Sequence, residues 1–391
     1  MTEDAKPLVI AVVAQFPLGF FEGGGQGRGG GQAATWLPQL AEAWMDAEGV
    51  EIHWLVLDKT VREPGTMRQL NQTFHRIPDR GTSLGLLLAR RPQRRGYGRV
   101  LREIRPDLVH CWGTETLHGA ALWEFEGPSI LSMQGVVTTY YETGDLVGWR
   151  WKLFRFWEAR TMRRATVVTS ESQWGLDRVA EIVPGKVMRK IEYGVFPSYY
   201  EVEWKPDPER PRILFVGSLN RLKGIDILME MLRRHRGQKW TMVFVGSGYL
   251  EEELRALNHP QVEVRGTLKT GEVQEEMAKS WGFVLPSRAD TSPNVIKEAR
   301  VIGLPIIVSP HGGHAEYVED GVDGTVVDGE DPEEWFAALE GLCGDFERCR
   351  AMGGARRELF REHFRPENTA KEFLALYREL GDKAGGERTV V

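Results

Sequence analysis

The chain has 391 residues, 41% of them hydrophobic and 27% charged, with a formal net charge of −6. That balance excludes a disordered chain and leaves room for two or three domains of about 150 residues each. The excess of acid, which lies in the C-terminal half, argues against a general nucleic-acid binder.

Cys111, Cys343 and Cys349 have no metal-ligand spacing, and an odd number suits a reducing compartment. The opening MTEDAK is not a basic signal segment, and no apolar run approaches the ~18 residues of a spanning helix. A soluble, cytoplasmic protein is expected.

LVIAVVAQF, residues 8–16, is a continuous β-rich run, the pattern of a strand buried on both faces. A glycine stretch follows. Ala34, Leu37, Leu40, Ala41 and Trp44 then recur at helical spacing. Further strands are predicted at 51–58, 106–112, 128–135 and 165–170, with helical stretches between them. This alternation predicts a parallel, doubly wound sheet. The rhythm restarts after the proline- and charge-rich segment 200–211. New strands are predicted at 212–219, 240–248, 261–267, 281–287, 303–309 and 324–329. The reading is therefore α/β, with two Rossmann-like domains: 1–195, and 196–364. A cleft between them is the default ligand site. Residues 365–380 carry an amphipathic helix pattern, and the segment after it is expected to fray.

The glycine stretch, EGGGQGRGGGQAATWL at 22–37, reads either as a linker or as a loop stripped of side chains. It lacks the Gly-Lys-Ser/Thr of a Walker loop. A dinucleotide pattern laid on Gly25, Gly27 and Gly30 means little in so glycine-rich a run, and PLGFFEGG separates it from the strand. Gly30 and Gly31 precede a helix whose first amides are unpaired, a setting that favours an anion approaching the backbone, with Arg28 adding charge.

In VGSLNRLKGIDIL, Arg221 and Lys223 follow a strand. Two cations there suit a diphosphate, and a solvated basic turn is the alternative. In PSRADTSPNVIKEARVIG, Ser292 is a good N-cap and Pro293 fits the first helical position, which predicts a helix over 294–302. Asp290 before that helix and Glu298 within it are separated by seven residues. Acids so placed can reach a sugar and accept from ribose hydroxyls, or form a salt-bridged surface pair. Gly312, Gly313 and Glu316 follow in SPHGGHAEYVEDG.

Together these segments resemble the retaining nucleotide-sugar glycosyltransferases of the GT-B fold, glycosyltransferase family 4. The resemblance covers nearly the whole chain. It implies two Rossmann-like domains facing a cleft, acceptor on the first and donor on the second, with the final helix, 365–381, crossing back to the first. Gly30 and Gly31 match the family's glycine loop near the donor. Gly217 opens the matching GSLNRLKG, in which Arg221 and Lys223 would hold the diphosphate and stabilise it as a leaving group. Asp290 stands for the first Glu of the family's E-x7-E pattern, one methylene shorter, and Glu298 for the second, on the ribose. Ser292, Pro293, Asn294 and Val295 would meet phosphates or sugar hydroxyls. Where the family often has His-Gly, this chain has Gln134 and Gly135, and Gln cannot take a proton at neutral pH. His110 reads either as a cleft residue or as a satisfied structural histidine. Glu115 and His118 either open the next helix or face the acceptor.

The resemblance implies transfer of a hexose from a UDP-, GDP- or ADP-linked sugar to a glycan, glycolipid or small-metabolite hydroxyl. Configuration would be retained, with no cofactor and no metal. Two alternatives stay open: a same-fold enzyme such as an epimerase, and a non-catalytic nucleotide-sugar-binding regulator. Two arginine-rich stretches, 89–106 and 148–164, the second interleaved with Trp and Phe, either lie on an anionic membrane or form ordinary core and solvated faces. No nucleic-acid reading motif accompanies them.

Overall fold

A computed structural model describes residues 6–22, 36–79, 91–115, 118–144 and 146–387. Gly30, Gly31 and Arg28 lie outside the described residues. The chain divides into two compact units: unit 1 is Met1–Gly194 with Pro366–Val391, and unit 2 is Val195–Arg365.

Unit 1 holds β1 (Leu8–Val13), β2 (Val50–Asp58), β3 (Gly65–Gln69), β4 (Gln72–Pro78), β5 (Leu108–Trp112), β6 (Ser129–Met133), β7 (Val167–Ser170) and β8 (Met188–Lys190). Their order is β3-β4-β2-β1-β5-β6-β7-β8, parallel except for β3 against β4. The apolar run of β1 is explained by its place between β2 and β5, covered on both faces. Alternate residues go to opposite sides. Ile10 and Val12 join Trp44, Trp54, Phe74 and the final helix, while Ala11 and Val13 join Tyr97, Leu101 and Met162.

The final helix, Pro366–Glu387, belongs to unit 1. Its Phe373 and Tyr377 are fully buried, and Trp44 Nε1 donates to the Ala370 carbonyl at 3.2 Å. It continues seven residues past the predicted end at Leu380. No proline interrupts it, and Lys383 pairs with Glu379 one turn back at 2.7 Å.

Unit 2 holds β9 (Arg212–Val216), β10 (Thr241–Val245), β11 (Val262–Gly266), β12 (Gly282–Leu285), β13 (Ile306–Val308) and β14 (Gly324–Val326). All are parallel, in the order β11-β10-β9-β12-β13-β14. In doubly wound sheets, ligands bind beyond the carboxyl ends of the strands where the order reverses. That point lies between β9 and β12 in unit 2, and between β1 and β5 in unit 1.

Candidate functional site

Arg221 and Lys223 follow β9, and Asp290 follows β12, so the sheet order of unit 2 brings the predicted cations and the first acid to one edge. The loops meet backbone to backbone. Gly224 adopts φ +72°, and a Cβ on it would lie 2.1 Å from the Pro286 carbonyl oxygen. The Leu222 carbonyl accepts from the Arg288 amide at 2.8 Å and the Ser287 hydroxyl at 3.2 Å. Lys223 Nζ then donates to Asp290 Oδ2, with both side chains largely buried. The Lys223 amide is fixed by Asn220 Oδ1 at 3.0 Å. Arg221 differs: its side chain is 63% exposed and lies 3.5 Å from Asp226.

Gly217 sits at the β9 exit, its amide on the Val245 carbonyl at 3.0 Å. A Cβ at Gly246 would lie 1.9 Å from the Gly217 carbonyl oxygen, so the turn after β10 supports the turn after β9 directly. Sequence reading missed Gly246. The signal was present, since Val-Gly-Ser recurs at 216–218 and 245–247. It also missed Arg288, which grips Asp226 through two nitrogens at 2.7 and 3.0 Å and braces the same loops.

The helix Asn294–Ile302 forms where predicted. Its start corrects the capping expectation. Pro293 is the N-cap, with ψ 120°, and no side chain caps it. The Ser292 hydroxyl instead lies 3.0 Å from that of Tyr317, because the helix begins one residue later than Pro293 at its first position would require. Asn294 and Val295 open the helix, where amides lack intrahelical partners. Asn294 Oδ1 is buried with no hydrogen-bond partner among the described residues.

Glu298 stands further along this helix, with Tyr199 of the 3-10 turn Pro197–Glu201 as an electrostatic neighbour. Burial pushes its carboxyl up to about 7, against the lowering effects of Tyr199 and Lys297. Nothing local in the sequence marks Tyr199 as its partner. Beyond β13, His314 is fully buried, with Nε2 3.1 Å from Ser309 Oγ. Burial pushes it down to about 4, outweighing the opposing pull of Asp290, so the ring is neutral. Glu316, in the same turn, is exposed.

In unit 1 the structure favours the second of the two readings of His110, a satisfied structural histidine. The ring has no exposed surface. Nδ1 lies 2.7 Å from Tyr377 Oη and Nε2 2.7 Å from Ser132 Oγ, which in turn meets Thr169 at 2.6 Å. Burial pushes it down to about 3, and it joins β5 and β6 to the final helix as a neutral structural residue. Gln134 and Gly135 follow β6, beside Gly113 and Glu115, which follow β5. His118 is tied to the Tyr97 hydroxyl at 3.0 Å.

The basic aromatic helix Trp149–Arg164 buries Phe154 and Met162 but leaves Trp149 60% and Phe156 53% exposed. Among the described residues no helix is long and apolar enough to cross a membrane.

Two doubly wound units, the second carrying paired cations and an acid at its switch point, are the architecture of GT-B glycosyltransferases. Residues 30–191 match the glycosyl transferase 4-like domain and residues 210–345 the glycosyl transferases group 1 domain. The chain belongs to this family of group 1, family 4-type glycosyltransferases.

It is similar to the D-inositol 3-phosphate glycosyltransferase of Mycobacterium marinum, with 30% identity over 196 residues, 47% of this chain and 42% of that one. It is 27% identical over 261 residues to the GDP-mannose-dependent alpha-mannosyltransferase of Corynebacterium glutamicum, covering 63% of this chain and 61% of that one. The matches thus span about half the length of these curated relatives. Among solved structures, sucrose-phosphate synthase from Thermosynechococcus elongatus superposes with a TM-score of 0.77 at 18% identity, covering 96% and 99% of the two chains.

Proposed function

We propose that the chain moves a hexose from a nucleoside-diphosphate sugar to an acceptor hydroxyl, with retention and without a metal ion. The observation that carries this reading is the meeting of Lys223 and Asp290 at the β9/β12 switch point, inside the segment that matches the group 1 domain.

Loss of a diphosphate from an oxocarbenium-like centre needs charge stabilisation on the leaving oxygens, usually the largest catalytic contribution. The exposed Arg221 guanidinium and the Lys223 ammonium supply it in this reading. Lys223 exchanges Asp290 for phosphate, which frees the Asp290 carboxylate to accept from the donor sugar. Asn294 and Val295 offer amides at a helix start to phosphate or sugar oxygens, with Ser292 and Pro293 shaping the approach and Gly217 lying at the loop's origin. Glu298 accepts from the ribose hydroxyls. Gly30 and Gly31 are assigned to the donor by family resemblance alone. Gln134 and Gly135 lie on the acceptor side, in unit 1.

The donor is UDP-, GDP- or ADP-linked; the C. glutamicum relative, by its name, depends on GDP-mannose. The acceptor is a glycan, glycolipid or small metabolite. Trp149 and Phe156, exposed among arginines, support peripheral contact with an anionic membrane.

The test is calorimetric binding of UDP, GDP and ADP sugars to wild type and Lys223→Ala, followed by NMR assignment of the product anomer. One nucleotide class should bind, at least tenfold more weakly in the variant. No donor binding, or an inverted product, refutes the proposal.

A further inference from the structure

Glu115 follows β5, on the side of unit 1 where the strand order reverses. It is half-buried, and no Lys or Arg pairs with it among the described residues. The backbone amides of Thr114, Gly135 and its own residue favour its ionised form, against the burial that opposes it. Glycines make room for it. A Cβ at Gly135 would lie 2.7 Å from Oε1, and one at Gly113 2.6 Å from Oε2.

The neighbouring Glu158 shows how a structural carboxylate is treated in this fold. It is 1% exposed and receives the Thr114 and Thr138 hydroxyls and the Val137 and Thr138 amides at 2.7 to 2.9 Å, filling both oxygens from within the protein. A carboxylate has about four lone-pair sites. Glu115 keeps acceptor capacity and some exposure, beside the amide of Gln134.

We propose that Glu115 is an acceptor-recognition residue, whose carboxylate receives a hydrogen bond from a hydroxyl of an uncharged sugar or polyol. This rests on the transferase reading above. The described groups around it suit an uncharged acceptor: Glu158 from the helix Trp149–Arg164, the Gln134 amide, the Tyr140 hydroxyl beside Gly135, and Tyr193. A phosphorylated acceptor hydroxyl would bring its charge towards two carboxylates. Burial, with Glu158 adding to it, pushes Glu115 up to about 7, so the ionised form, the stronger acceptor, is complete only above neutral pH.

The test uses the full chain, its calorimetrically identified donor, and four probes: methyl α-D-glucopyranoside, methyl α-D-mannopyranoside, myo-inositol and myo-inositol 1-phosphate. Wild type should transfer to at least one uncharged probe, with an acceptor KM that falls as pH rises through 7. Glu115→Gln should raise that KM about tenfold to a hundredfold and flatten its pH dependence. Donor affinity should stay unchanged, and Glu115→Asp should recover part of the loss. Transfer only to the phosphorylated probe, no transfer to any probe despite donor binding, or an unaltered acceptor KM in Glu115→Gln overturns this inference and leaves the transferase proposal standing. Absence of donor binding removes both.

Discussion

Replacing Glu298 by Gln should make unit 2 more stable and the donor site worse. The folded carboxyl is raised by burial from 4.5 to about 7. Between those values the unfolded chain holds fewer protons than the folded one, so stability falls as pH rises from 4.5 and is lowest above 7. At about 1.4 kcal/mol for each tenfold change in proton affinity, the cost above pH 7 reaches about 3 kcal/mol as an upper bound, because the group keeps some solvent contact. Gln keeps the shape of the side chain and carries no charge. For a domain of this size, relief of that cost raises Tm by about 6–12 °C at pH 8 and by little at pH 5. In the proposed donor site the same substitution removes the charged acceptor for ribose hydroxyls, worth about 1.5–3 kcal/mol, or roughly tenfold to a hundredfold in donor affinity. Calorimetric melting at both pH values, beside donor titration, measures both effects. A variant whose Tm is no higher than wild type at pH 8, or equally raised at pH 5, refutes the argument that burial strains this carboxylate.

Three further outcomes are expected. Arg300 and Asp323 form an ion pair at 2.5 Å with both side chains at 0% exposure. Asp323→Ala therefore costs about 3–5 kcal/mol in urea unfolding, while Arg300→Met combined with Asp323→Leu recovers most of it; equal losses in the two would contradict the uncompensated-charge account. Gly224→Ala should part the loops after β9 and β12 and weaken donor binding more than tenfold by calorimetry, since φ is +72° and Pro286 O stands 2.1 Å from the added carbon; wild-type affinity would show that this contact does not set the site. Tyr377→Phe removes a partner of His110 and should cost about 1 kcal/mol with kcat unchanged; a lower kcat at unaltered stability would return His110 to the acceptor site.

Much of the fold could be read because central strands of parallel sheets are apolar throughout. β1, β9, β10 and β12 announce themselves in this way. The β3–β4 hairpin does not, because its turn places Leu70 and Asn71 at φ 51° and 57°. Two successive left-handed residues make a hairpin turn, but leucine gives no sign of it. β8, Met188–Lys190, is three residues long and its two charged residues are exposed, so no hydrophobic pattern marks it. In the candidate site, Lys223 and Asp290 were legible because strand ends at a switch point are predictable places. Tyr199 on Glu298 and Tyr317 on Ser292 were not, since both contacts depend on tertiary packing between distant segments.

The helix Pro366–Glu387 completes the core of unit 1, yet it is joined to the far end of unit 2. During synthesis on the ribosome, unit 2 is a contiguous segment and emerges whole. Residues 8–194 emerge earlier but lack the Phe373 and Tyr377 side chains that close the face formed by Trp44, His110 and Trp112. The first segment made is therefore the last to reach its finished form. Until residue 380 has left the ribosomal tunnel, that aromatic face of unit 1 lacks its cover, the kind of exposed apolar surface that favours aggregation.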